Sequence, residues 1–191
     1  TLVKRVFDIF VSLLLLVLAA PVMVLTALFI VFEDGAPVFY RQERVGRDGH
    51  HFAMLKFRSM RVGAEAEQAI LEAHNDGAGP LFKLKHDPRV TRVGHFLREH
   101  SLDELPQFRN VLVGQMSVVG PRPPLPKEVM SYDGRVFRRL YIKPGITGPW
   151  QVGGRSHLSW DESVRLDLDY VENWSLWDDL RIMWRTVGVV V

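Results

Sequence analysis

Cysteine is absent from the 191 residues, which excludes a disulfide framework. It also leaves seven histidines without a thiolate, a poor set for structural zinc. Lysine is scarce, 6 residues against 18 arginines. Planar guanidinium forks fit bidentate phosphate recognition better than diffuse charge does. Net charge is only +2, so nucleic acid is not an expected partner. Several motifs are missing too. No G-x-x-x-x-G-K-[ST] loop occurs, which excludes a P-loop nucleotidase, and there is no G-x-G-x-x-G, H-E-x-x-H or G-x-S-x-G. With 47% apolar residues the chain is neither disordered nor collagen-like.

Charge is also missing locally. Ile9–Phe32 is a run of 24 residues without one ionisable side chain. As a helix it would be roughly 36 Å long, enough for a hydrocarbon core of about 30 Å. Its length, and the lack of a small-x-small cleavage site before Glu33, argue against a cleaved signal peptide. Pro21 lies mid-run and cannot donate to the Val17 carbonyl. Two readings follow: a spanning helix with a proline kink, or two half-bilayer arms that enter and leave on one face. Cations flank both ends: Lys4 and Arg5 before the run, then Arg41, Arg44, Arg47, Lys56, Arg58 and Arg61 after it. Cationic flanks prefer the cytoplasmic side, so both ends on one face is the better fit. The chain divides into an anchor, 1–32, and a polar domain, 33–191.

In the polar domain, Pro37–Tyr40 and Phe52–Phe57 read as strands joined through an Asp48-Gly49 turn, a β-hairpin. Arg61–His74 reads as a helix stopped at Asn75-Asp76-Gly77, and Val93–His100 as a shorter one. Residues 101–114, SLDELPQFRNVLVG, read as a helix ending at Gly114. Ser101 and Glu104 have capping-box spacing, yet Pro106 conflicts with that register; with Asp103 as cap, Pro106 falls third. In either register two adjacent carboxylates lie at the positive end of a helix dipole, which favours their ionised forms. An ionised Asp suits a covalent nucleophile or a magnesium ligand. MSVVGPRPPLP (116–126) reads as a stiff, non-regular segment that fixes Arg122. Ser175 can cap a helix carrying Leu176, Leu180, Met183, Trp184 and Val187. All five tryptophans lie in the last 42 residues, either as core or as a surface at lipid headgroups.

Together these segments resemble the bacterial sugar transferase family of polyprenyl-phosphate phosphoglycosyl transferases. The carrying stretches are KRVFD (4–8), the proline-interrupted anchor, PVFYRQERVGRDGHHF (37–52), LKFRSM (55–60), DPRVTRVGHFLREHSLDELPQFRNVLVGQMSVVGPRP (87–123), KPGITGPWQVGGRS (143–156) and DYVENWSLWDDLRI (169–182). The resemblance implies a mainly helical α+β fold. It would be monotopic, with an N-terminal re-entrant helix broken at Ala20-Pro21, a small β-hairpin and interfacial amphipathic helices. It implies Asp103 as the nucleophile of an Asp-Glu dyad that takes sugar-1-phosphate from a UDP-sugar, releases UMP and passes it to undecaprenyl phosphate. Glu104 would bind Mg2+, while Lys56, Arg58, Arg98, Arg122 and Arg155 would hold phosphates. The site would face the cytoplasm at the inner membrane, in contact with membrane lipid. A homodimer is the default assembly expected of a bacterial enzyme. The residue readings leave open two competitors: a membrane-bound binder without turnover, and a single-pass anchor presenting an extracellular domain. Thr1 in place of Met fits a minimal member or a fragment.

Overall fold

A computed structural model of the chain describes residues 1–64, 66–67, 87–154 and 158–190. The architecture is mainly helical. Helix α1 (Leu2–Asp34) is followed by β1 (Phe39–Val45), β2 (His51–Phe57), α2 (Arg92–Glu99), α3 (Gln107–Leu112), β3 (Ser117–Val119), α4 (Pro126–Val129), β4 (Gly145–Thr147), α5 (Pro149–Gly153), α6 (Trp160–Asn173) and α7 (Leu176–Val190). Beyond a turn at 62–64, the helix expected over Arg61–His74 lies largely outside the described residues.

Helix α1 passes through Pro21 as one helical element rather than as two separated arms. Proline forfeits one backbone bond there, while its φ is already helical. One face is seated on the polar domain. Asp8, Ser12, Thr26 and Ile30 are buried, and Leu15, Leu16, Met23 and Ala27 pack beside them. This spacing of three and four residues is a single helical stripe. The opposite face is apolar and exposed, with Phe10, Val17, Leu18, Leu28 and Phe32 bare. By length and hydropathy α1 is a candidate membrane segment.

Both ends of α1 are tied to the polar domain. At the start, Lys4 pairs with the buried Asp179 (2.7 Å). Arg5 donates to the carbonyls of Val111 (2.6 Å) and Leu112 (2.7 Å) at the end of α3, where a cation is favoured. Asp8 accepts from the Ser117 hydroxyl (2.9 Å) and the Val118 N–H (3.0 Å). At the far end, Glu33 accepts from the Arg92 (2.9 Å) and Val93 (3.0 Å) amides, which cap α2. Arg58 donates to the Asp34 (3.0 Å) and Gly35 (2.6 Å) carbonyls.

The expected hairpin is present, but its first strand is Phe39–Val45 and not Pro37–Tyr40: β1 and β2 pair antiparallel with Phe39 opposite Phe57 and Val45 opposite His51. The outer edge of β2 is closed by a side chain in place of a third strand. Asn110 on α3 accepts from the Leu55 N–H (3.0 Å) and donates to the Ala53 carbonyl (2.8 Å). Phe52 and Met54 join Phe108, Val111, Met116, Val118, Val119, Tyr170 and Ile182 in the main core.

Two local expectations change. The segment read as non-regular holds β3, which pairs in parallel with β4. Strands of three residues leave almost no alternation to read. The segment 101–114 is not one capped helix. Ser101 takes a left-handed conformation (φ 53°) and makes no side-chain cap, Leu102–Glu104 form a 3-10 turn, and α3 begins only after Pro106. Proline lacks the N–H that a helix interior requires and therefore sits at the entrance.

Candidate active site

The side chains of β2 alternate, so Lys56 shares a face with Phe52 and Met54. That face meets α3 and the turn before it. Since Asn110 clamps β2 to α3, the Lys56 ammonium is delivered to that turn. It lies 2.7 Å from Glu104 Oε1 and 3.8 Å from Asp103 Oδ2. Asp103 is buried, its side chain 10% exposed, whereas the Glu104 side chain is 35% exposed.

Burial pushes the Asp103 carboxyl above its ordinary range. The Lys56 ammonium opposes this, Glu104 adds to the push, and Arg98 opposes it more weakly. Burial acts the same way on Glu104, but there Lys56, by charge and by hydrogen bond, joined by a Gln107 hydrogen bond and by Arg44, holds the carboxyl below its usual value. The two neighbours are thus tuned apart by environment. A helix dipole alone would favour the ionised form of both. Desolvation wins at Asp103, because α3 is short and starts only after Pro106.

The expected cations divide. Arg98, on α2, acts electrostatically on Asp103 and donates Nε–H to the Ser59 hydroxyl (2.9 Å). Arg122 donates to both oxygens of the buried Glu128 (2.9 and 3.3 Å). Arg58 is committed to the end of α1, because β2 stops at Phe57 and its alternation no longer directs the next side chain. Arg155 lies outside the described residues.

Arg44 is the residue that sequence reasoning treated only as a membrane-flanking charge. It is buried at 8% exposure and donates to the Pro123 carbonyl (2.8 Å) and the Gln42 amide oxygen. Burial, reinforced by Arg122, pulls its guanidinium down to about 9, and it acts electrostatically on Glu104. The Val45 N–H also donates to the Pro124 carbonyl (3.0 Å), docking the proline-rich segment along β1. A buried cation on a strand edge is a signal a sequence could offer only through the hairpin register. The result is a run of charges: Arg98, Asp103, Lys56, Glu104, Arg44, Arg122.

Two adjacent carboxylates ringed by cations point to phosphate chemistry. A family model described as bacterial sugar transferase matches residues 1–191. The chain belongs to that family. It is 47% identical over 192 residues to a UDP-galactose-lipid carrier transferase of Erwinia amylovora, covering 98% of this chain and 40% of the relative. It is 45% identical over 192 residues to an undecaprenyl-phosphate galactose phosphotransferase of Salmonella typhimurium, with 98% and 40% coverage. It is 41% identical over 195 residues to a UDP-glucose:undecaprenyl-phosphate glucose-1-phosphate transferase of Escherichia coli, with 97% and 39% coverage. The chain therefore spans about two fifths of the length of these relatives.

The donor set can be weighed for a divalent ion. Among the described residues no three His, Cys, Asp or Glu side chains converge on one point. Magnesium is commonly held by one or two carboxylates completed by substrate phosphates and water. Asp103 and Glu104, the latter partly exposed, fit that smaller requirement.

Proposed function

We propose that this sugar transferase moves a sugar-1-phosphate from a UDP-sugar to undecaprenyl phosphate. A carboxylate oxygen of Asp103 attacks the phosphorus that bears the sugar. The bond from that phosphorus to the bridging oxygen breaks, and UMP leaves with the electron pair. The resulting aspartyl phosphosugar is then attacked by a phosphate oxygen of the lipid, which restores the carboxylate and yields a polyprenyl-diphosphate sugar. Lys56 and Arg98 lower the energy of the Asp103 anion before attack and stabilise phosphate charge during it. Arg44 and Arg122 extend the positive field toward the nucleotide diphosphate. Glu104, with substrate phosphates, would hold Mg2+, which when bound neutralises diphosphate charge.

The observation that carries this reading is the contrast within the dyad: a buried Asp103 facing Lys56 beside a Glu104 partly open to solvent. The anchor supports it. Both ends of α1 are bonded to one polar domain, and its outer face is apolar. That one domain holds both ends supports a segment whose two ends share one face of the bilayer, where a cytoplasmic sugar nucleotide and a bilayer-borne acceptor can meet at one site. Trp177, Leu180, Trp184 and Val187, exposed on α7 at spacings of three and four, add an interfacial face. On this reading the protein works at the cytoplasmic face of the inner membrane, at the first membrane step of glycan assembly.

Purified protein with magnesium, undecaprenyl phosphate and a panel of UDP-sugars should release UMP with at least one donor. Asp103→Asn should abolish release while the protein stays folded. Full release by that variant would refute the mechanism, and no release by the parent with any donor would refute the reaction.

A further inference from the structure

An apolar groove of about 510 Å³ lies between the second half of α1 and α2. Val22, Leu25 and Phe29 form one wall, Val93 and Phe96 the other, and Leu102 also lines it. Leu25, Phe29 and Phe96 remain more than half exposed within it. Such a surface is costly in water and belongs against an apolar occupant. Three features say which one. One wall is the apolar anchor, whose outer residues Val24, Leu28 and Val31 are exposed toward the same medium. The lining includes Leu102, the residue immediately before Asp103. Arg92 lines the groove, and Arg98, on another face of the same helix, acts electrostatically on Asp103.

We propose that this groove holds the first isoprene units of the polyprenyl phosphate acceptor and points its phosphate at Asp103. The assignment rests on the transferase reading above. At organic-liquid packing an isoprene unit takes on the order of 150 Å³, so the groove accommodates about three. The remainder of the chain stays in the bilayer, and the groove meters only the reactive end.

Full-length protein in nanodiscs would be labelled with a diazirine-bearing prenyl phosphate. Labelling should fall on peptides containing Leu25 or Phe96. Undecaprenyl phosphate should suppress it, whereas a diacyl phosphatidic acid, with the same phosphomonoester headgroup, should not. Equal suppression by phosphatidic acid would mark the groove as a site for ordinary bilayer lipid, and labelling elsewhere would place the acceptor elsewhere; either overturns the proposal. Because labelling needs no turnover, it still reports on the groove if UMP release fails.

Filling the groove gives a second readout. Leu25→Trp and Phe96→Trp keep the surface apolar. Each should shrink the KM advantage of undecaprenyl phosphate over dimethylallyl phosphate, which carries a single isoprene unit, by roughly tenfold, the loss of a few buried methylenes. Phe32→Trp, on the same helix away from the groove, should retain the parental ratio. An unchanged ratio in both groove variants would also overturn the assignment.

Discussion

Replacing Lys56 with methionine removes the cation facing both carboxylates while retaining much of the side chain's apolar stem. At the 3.8 Å separation from Asp103, the pairing is worth about 1 kcal/mol under full water screening and about 4 kcal/mol at an effective dielectric constant of about 20. Asp103 is only 10% exposed, which places the site nearer the second figure. The sign follows from the groups involved. Burial already disfavours the Asp103 anion and Lys56 opposes that burial, so without Lys56 the carboxyl holds its proton to higher pH. The acid limb of UMP release should therefore move upward. On that limb the ionised fraction should fall by roughly fivefold to several hundredfold. Lys56→Arg, which keeps the charge, should hold the limb near its parental position. The assay is kcat/KM for UMP release across pH, with folding checked at each point. An acid limb that stays in place or moves downward in Lys56→Met would refute the electrostatic account of Asp103.

Glu128→Ala should destabilise the protein by about 3–5 kcal/mol, because it strands Arg122 beside the buried Arg44; urea unfolding measures this. Gly94→Ala would gain about 1 kcal/mol in an open helix. Here the new methyl would overlap the Ser59 carbonyl, so a lower melting temperature is expected, together with lost activity as Arg98 shifts. Asp8→Ala leaves the Ser117 hydroxyl and the Val118 amide without their buried acceptor. A loss of about 1–3 kcal/mol is expected, with faster proteolysis ahead of the anchor. An unchanged unfolding midpoint in any of these variants would contradict the contact assigned to it.

Much of this was legible in the residues. The charge-free run announces α1, and the Asp48-Gly49 turn between apolar alternations announces the hairpin. The adjacency of Asp103 and Glu104 was also plain. What stayed hidden was set by distant partners. The pairing of β3 with β4 joins residues 117–119 to 145–147 through two glycine- and proline-rich segments, where composition speaks for loops. Gly120, just after β3, and Gly145, at the start of β4, are required there because a Cβ on either would run into the backbone of the facing segment. Ser101 carries a good capping signature, but its backbone is left-handed between α2 and the 3-10 turn, and that conformation overrides the side chain's preference. Arg44 and Arg58 look alike in the sequence. Only the hairpin register and the exit of α1 separate a cation beside Glu104 from one that caps a helix end.

The most direct measurement is mass spectrometry of the protein quenched after reaction with a UDP-sugar in the absence of lipid acceptor. The account predicts a hexose phosphate on the peptide containing Asp103, discharged when undecaprenyl phosphate is added. An adduct on any other residue, or UMP released with no adduct at all, would contradict it.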